Sequence, residues 1–304
     1  MRVEVLVSCL NADVKSLVSK MKLDSDAVIV NQCGREDEEQ FALSCGMEEN
    51  GRNGSFCCVE ENERSEGCSD IEKIDETASP CGRIRVCCST ERGVGRSRNL
   101  AMSKAEREFC IFSDEDIVYR KGYGLAIAEE FDRHPEADGL LFQVEVDPAR
   151  KTYQNDQFGP VGLLNCGRYP AYSMAFRREK LLQSGVRFST LFGGGARYSN
   201  GEDSLFIRDV LKAGLKLYKT PVCIGEEVPR PSTWFTGYHE KFFFDRGVLY
   251  HFLYGWAAPL WAFRFVFTKR KLMCQEIPWR KALGLVCRGI REGRRVEREE
   301  GDEA

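Results

Sequence analysis

Two strand-length apolar runs near the start, VEVLVSC at 3–9 and AVIVNQC at 27–33, bracket a helix-like stretch from Asp13 to Met21. A strand wetted on one face alternates apolar and polar residues. A run this apolar must be covered on both faces, as in the parallel sheets of α/β proteins, where each return crossing is usually a helix. The opening therefore predicts a helix-flanked sheet. The chain is 304 residues long and 42% apolar, enough for one large domain or two small ones.

Charge narrows the function classes. The net charge is −3, with 44 Lys plus Arg against 47 Asp plus Glu, so no global basic field exists to bind nucleic acid. Met1 to Asn11 is too short an apolar run for a signal peptide and reads as the first strand. Fourteen cysteines suggest a disulfide scaffold, but such scaffolds are small chains without a core of their own. Cys9, Cys110, Cys166 and Cys223 lie in apolar strand-like runs as reduced thiols. A cytoplasmic location fits that usage.

From Gly34 to Arg83 the texture changes to few long apolar side chains, with 14 acidic against 5 basic residues. This span reads as a flexible, acidic, Cys-rich insertion. It and its borders hold Cys33, Cys45, Cys57, Cys58, Cys68, Cys81, Cys87 and Cys88, yet no Cys-x-x-Cys pair, so an untidy loop is favoured over a zinc site. Regular structure resumes at IRVCCST. A helix is expected from about Ser97 to Ala105, then the strand FCIFSDED, a helix over 123–133 and the strand GLLFQVEVD. Further on come a strand-like AYSMAF, a glycine-rich loop, a helix ending at Gly214 and the strand KLYKTPVCI.

Three motifs carry chemistry. FSDED ends a strand, and Asp114 and Asp116 there can share a hard divalent cation with diphosphate oxygens; a solvated acidic turn is the plainer reading. ERGVGRSRN joins a strand to a helix: Gly93 and Gly95 permit close approach, Ser97 can cap the helix, and exposed N–H groups with Arg96 and Arg98 suit anionic oxygens. An ordinary charged loop explains it equally well. In GGGARYSNGED, Gly194 and Gly195 leave a wall without side chains for a sugar ring, and Glu202 and Asp203 open a helix, where a carboxylate is favoured as the anion. Asp203 is either a general base facing a cleft or a helix cap.

In this order and spacing AVIVNQC, ERGVGRSRN, FSDED and NGED resemble the family 2 glycosyltransferases of GT-A fold, especially their bacterial surface-polysaccharide branch, and PSTWFTGYHEKFFFDRG at 231–247 is similar to a later segment of that branch. The resemblance covers most of 1–33 and 84–250. It implies a nucleotide-diphospho-sugar transferase fold, Rossmann-like, with a mixed central sheet. It also implies inverting transfer of a sugar from a nucleotide donor, foremost a UDP-sugar, to a glycan or lipid-linked glycan in capsule, exopolysaccharide or O-antigen assembly. By that resemblance Ser8, Asn11, Asn31 and Gln32 line the base and ribose, and Arg98 and Asn99, with Arg96 beside them, face the nucleotide and diphosphate. Asp114 and Asp116 hold Mn²⁺ or Mg²⁺, with Asp116 the direct ligand, and Asp203 of the Glu202–Asp203 pair is the base. Many relatives carry an acidic pair where this chain has Asn31 and Gln32, which leaves the base open.

The domain reading is a catalytic unit over 1–250, interrupted at 34–83, and a helical, aromatic, basic extension over 251–304 with an acidic tail. Residues 248–267 form an apolar window, but His251, Pro259 and Arg264 argue against a spanning helix. From Arg246 to Arg298 there are 12 Lys plus Arg against 3 acids, which suits peripheral contact with the inner face of a plasma membrane; a flap with Trp256 and Trp261 packed inward is the alternative. Trp234, His239 and Glu240 are placed to close over donor or acceptor, or, for Trp234, to pack in the core. A non-catalytic nucleotide-sugar or polysaccharide-binding module remains the rival function. A phosphoryl or nucleotidyl transferase is disfavoured, because no Gly-Lys-Ser/Thr phosphate loop occurs.

Overall fold

The computed structural model describes residues 1–45, 56–59, 80–163, 165–228 and 237–302. In chain order the first elements are β1 (Val3–Cys9), α1 (Val14–Met21), β2 (Asp26–Asn31), β3 (Asp37–Cys45), β4 (Phe56–Val59), β5 (Pro80–Cys88), α2 (Val94–Lys104), β6 (Phe109–Asp114), β7 (Ile117–Tyr119) and α3 (Tyr123–Arg133). The second half adds β8 (Gly139–Glu145), β9 (Gly159–Val161), β10 (Met174–Arg177), α4 (Arg178–Gln183), α5 (Glu202–Lys212), β11 (Leu217–Glu227), α6 (Glu240–Tyr254), α7 (Ala258–Met273) and α8 (Trp279–Asp302).

These strands make one mixed sheet in the order β4-β3-β5-β2-β1-β6-β10-β8-β11-β7, with β9 on β11. The parallel group β5-β2-β1-β6 is the expected core, and β10 joins β6 antiparallel. Both faces of β1 are covered, which is why its sequence barely alternates: Val3, Val5 and Val7 pack with α1 and α3, and Leu6 with α2 and α5. The one charge inside β1, Glu4, is buried and accepts from Arg85 at 2.6 Å and from the Glu106 N–H at 2.7 Å.

The insertion is not wholly irregular. β3 runs antiparallel to β5, and β4 pairs with β3, extending the sheet edge. Phe41 and Leu43 are two apart and so share a face, and both enter the same core as Ile84 and Val86. The surrounding acidic residues hid that alternation. Residues 46–55 and 60–79 lie outside the described residues, as do the side chains of Cys45, Cys57, Cys58, Cys68 and Cys81. Cys9, Cys110 and Cys166 are buried free thiols, and Cys223 is a half-buried one.

The C-terminal helices pack through backbone contact. A Cβ on Gly289 would lie 2.0 Å from the Phe244 carbonyl oxygen, and one on Gly247 would lie 2.1 Å from that of Val286, so α6 and α8 meet where only glycine fits. The boundary expected between 250 and 251 falls inside α6.

Candidate active site

Parallel strands deliver their C-terminal ends to one sheet edge, where α/β proteins bind ligands. Ser8 of β1 is in register with Asp114 of β6 on one side and with Val30 of β2 on the other. The Asn31 amide holds the β1–α1 turn in place, accepting from the Ala12 N–H at 3.1 Å and donating to its carbonyl at 2.9 Å. Gln32 accepts from the Gly93 N–H at 2.8 Å, while its amide nitrogen lies 3.5 Å from the Ser8 hydroxyl. Asn11 sits in the exposed turn with a left-handed φ of 49°.

The hub of the site is Arg98. It lies on α2 with 3% exposure, and its two terminal nitrogens donate to Asp114 at 2.8 Å, to Asp203 at 2.8 Å and, more weakly, to Glu202 at 3.4 Å. The guanidinium also stands 5.3 Å from the Phe188 ring centre. Burial opposes its charge, but Asp114, Asp203 and Glu202 outweigh that and raise its pKa. Arg98 thus joins the acidic strand end to the Glu-Asp pair, two motifs far apart in sequence.

Glu202 and Asp203 begin α5 after Gly201, whose φ is +117°. Glu202 is engaged on both oxygens, by Arg98 and by the Gly201 N–H at 3.0 Å. Asp203 keeps 25% exposure. Burial pushes its pKa up to about 7, with Glu202 and Asp114 adding to the rise and Arg98 and the Ala171 N–H opposing it. Asp116 follows β6, and its carbonyl accepts from the Val228 N–H at 2.8 Å, which ties it to the end of β11.

Several expected donor-facing groups are otherwise occupied. α2 begins at Val94, earlier than expected, so Ser97 lies within it instead of capping it. The Gly93 and Val94 N–H groups, expected to be open to an anion, donate to Gln32 and to the Gly194 carbonyl. Asn99 exchanges two bonds with the Phe188 main chain, at 2.9 and 2.8 Å. Arg96 points outward to Glu91.

The glycine loop packs on the start of α2: a Cβ on Gly195 would lie 3.2 Å from Gly93, and one on Gly193 would lie 2.6 Å from Val94. Gly194 is half-buried and Gly195 exposed. Trp234 lies outside the described residues. His239 caps α6 by accepting the Phe242 N–H at 3.4 Å, and Glu240 pairs with Lys281 of α8 at 2.6 Å.

Three contributors escaped the sequence reading. AYSMAF is a strand only from Met174; residues 171–173 form a 3-10 turn that aims the Ala171 N–H at Asp203 and seats Tyr172 beside the acidic cluster. The Pro170 before it was the available signal. Asp245 of α6 accepts the Ser199 N–H at 3.0 Å, and Leu249 fills the space a Gly201 Cβ would take, only 2.5 Å from it. Both steady the loop that presents Glu202 and Asp203.

With this geometry in view, likeness to known structures becomes informative. The chain aligns with residues 1–349 of TarS from S. aureus in complex with UDP-GlcNAc at a TM-score of 0.55 and 15% identity, over 91% of this chain and 74% of that one. The same protein in complex with UDP aligns at 0.55 and 16% identity, over 95% and 81%. The fold is GT-A. The mannosyltransferase PcManGT from Pyrobaculum calidifontis, in complex with GDP-Man and Mn²⁺, aligns more loosely, at 0.45 with 14% identity over 96% and 74%. No protein-family model and no curated protein matches. The resemblance read from AVIVNQC, ERGVGRSRN, FSDED and NGED agrees with that fold.

Proposed function

We propose that this chain is an inverting glycosyltransferase of family 2 type, moving a sugar from a nucleoside-diphosphate donor to a hydroxyl of a glycan in cell-surface polysaccharide assembly. The observation that carries the reading is Asp203: a largely buried carboxyl that solvent still reaches, bonded through one guanidinium to the acidic end of β6 and with its pKa pushed up by burial to about 7. A base of that strength takes a hydroxyl proton near neutral pH far better than an ordinary aspartate.

Each residue then has a task. Ser8, Asn31 and Gln32 border the nucleotide at the strand ends, and Arg98 fixes Asp203 relative to Asp114. Glu202, with both oxygens engaged, positions its neighbour. Asp203 accepts the proton as the hydroxyl attacks the anomeric carbon opposite the departing diphosphate, so a single in-line displacement inverts that centre.

Asp114 and Asp116 supply hard oxygen donors, and the carboxylates around Arg98 outnumber its single positive charge. That surplus and donor type fit Mn²⁺ or Mg²⁺, which bind through one or two carboxylates plus phosphate oxygens. Such a cation, held by Asp116 and Asp114, supplies charge neutralisation for the leaving diphosphate.

The test is a panel of UDP- and GDP-sugars with Mn²⁺, read by thermal shift and by release of nucleoside diphosphate. Asp116→Ala should lose metal-dependent donor binding, and Asp203→Asn should bind donor without transferring sugar. Transfer by Asp203→Asn at the wild-type rate would overturn the base assignment. Donor binding by the wild type with neither transfer nor hydrolysis would favour a binding module.

A further inference from the structure

The outer surface of α7 gathers most of the exposed large apolar side chains of the described residues. Trp256, just before the helix, is 91% exposed, Leu260 71%, Phe263 48% and Phe267 45%. At 100° per residue, positions 256, 260, 263 and 267 fall within one narrow arc, on the side away from the buried Ala258 and Ala262. The two tryptophans therefore part company: Trp261 turns inward and stacks on Tyr254 with ring centres 4.8 Å apart, while Trp256 faces solvent.

Cations line this stripe. Arg264 and Lys271 flank it on one side and Arg270 on the other, and the sequence from Arg246 to Gln275 holds no acid. None of these three cations meets a carboxylate among the described residues. Arg270 instead lies over the Phe267 ring at 4.1 Å, and Arg264 lies 5.4 Å from the Trp261 ring centre. From Trp256 to Lys271 the stripe runs roughly 22 Å at about 1.5 Å per residue.

We infer that this face is a membrane-docking surface for anionic phospholipid, with α7 lying flat in the headgroup layer. Trp256, Leu260, Phe263 and Phe267 enter the acyl boundary, while Arg264, Arg270 and Lys271 extend along their stems to lipid phosphates. The charge pattern selects lipid over a second copy of the chain. A two-fold pairing through this face would set the same unpaired cations against each other. Spanning is a different matter: among the described residues no helix is long and apolar enough to cross a membrane.

The test is flotation of the whole protein with phosphatidylcholine vesicles, with and without phosphatidylglycerol. The wild type should float with the anionic vesicles and much less with neutral ones, and added salt should release it. Phe263→Gln/Phe267→Gln should lower the bound fraction at least about tenfold, and Arg264→Gln/Lys271→Gln should erase the preference for anionic lipid. All four side chains are exposed, so circular dichroism should show both variants folded. If the first variant is not folded, the second still decides.

A blue shift of emission on anionic vesicles, lost in Trp256→Phe, would place that indole in the lipid. Equal flotation of wild type and both variants would overturn the inference, as would failure of the wild type to float. A concentration-dependent dimer that Phe263→Gln/Phe267→Gln dissolves would give the face to a second copy instead. Vesicle binding needs neither donor nor acceptor, so its failure leaves the sugar-transfer reading standing.

Discussion

Replacing Arg98 by methionine tests the electrostatic design of the site directly. The side chain keeps much of its volume, but Asp114, Glu202 and Asp203 lose the guanidinium that bonds all of them. Removing one partner of a buried ion pair typically costs about 3–5 kcal/mol, because the other charge stays behind. Asp114 and Asp203 keep 30% and 25% exposure, so water recovers part of that cost and the lower end applies. A loss of about 3 kcal/mol at pH 8 corresponds to a fall in Tm of roughly 5 °C for a chain of this size, at about 2.1 cal/mol/K of unfolding entropy per residue.

The pH dependence sharpens the test. Burial already raises the Asp203 pKa and Arg98 opposes that rise, so without Arg98 the folded Asp203 holds its proton more tightly still, and the variant gains stability as pH falls and loses it as pH rises. Its deficit relative to wild type should therefore shrink between pH 8 and pH 5. Urea midpoints followed by circular dichroism at both pH values measure this. A deficit below about 1 kcal/mol at pH 8, or one that is flat with pH, would falsify the claim that one guanidinium balances this cluster.

Three further outcomes are expected. Asp203→Asn should be more stable than wild type at pH 8 and no more stable at pH 4: the folded carboxyl titrates near 7 instead of 3.8, so wild type loses stability as pH climbs through that window, by up to about 4 kcal/mol at 1.36 kcal/mol per unit; thermal melts at both pH values read the crossover. Gly289→Leu should destabilise by at least about 1–3 kcal/mol, since even a Cβ meets the Phe244 carbonyl at 2.0 Å; unchanged melting would mean that α6 and α8 can move apart. Leu249→Ala should lower transfer more than donor binding, because it leaves a gap against Gly201 beside the Glu202–Asp203 pair; equal losses in both assays would assign Leu249 to general stability.

The buried strands were legible because two-sided burial writes itself as apolar runs, as in VEVLVSC and AVIVNQC. α5 was legible from its spacing and its glycine stop. β3 was not, since its two inward residues sit among Asp37, Glu38 and Glu39, and acidic composition masked a period of two. The acidic residues of the site could be named from sequence, but not their mutual bonding: Arg98 reads as a ligand for phosphate until folding shows it enclosed by carboxylates. Likewise Asn31 and Asn99 look like ligand-reading amides, and the structure engages both with main chain. A single sequence shows which groups can bond, and tertiary packing decides with what.

The seam between α6 and the loop at 199–201 bears on how this protein could be cut. A fragment ending at residue 250 would keep every strand of the sheet and look like a complete enzyme on paper. It would also break α6 before its last turn, and removal of α8 would uncover Phe243 and Val248, both wholly buried. Arg197 would lose its 2.9 Å pairing with Glu292, leaving the segment that leads into Glu202 and Asp203 held from one side only. The last helices behave as the back wall of the candidate site, and a truncation meant to isolate the sheet would remove that wall.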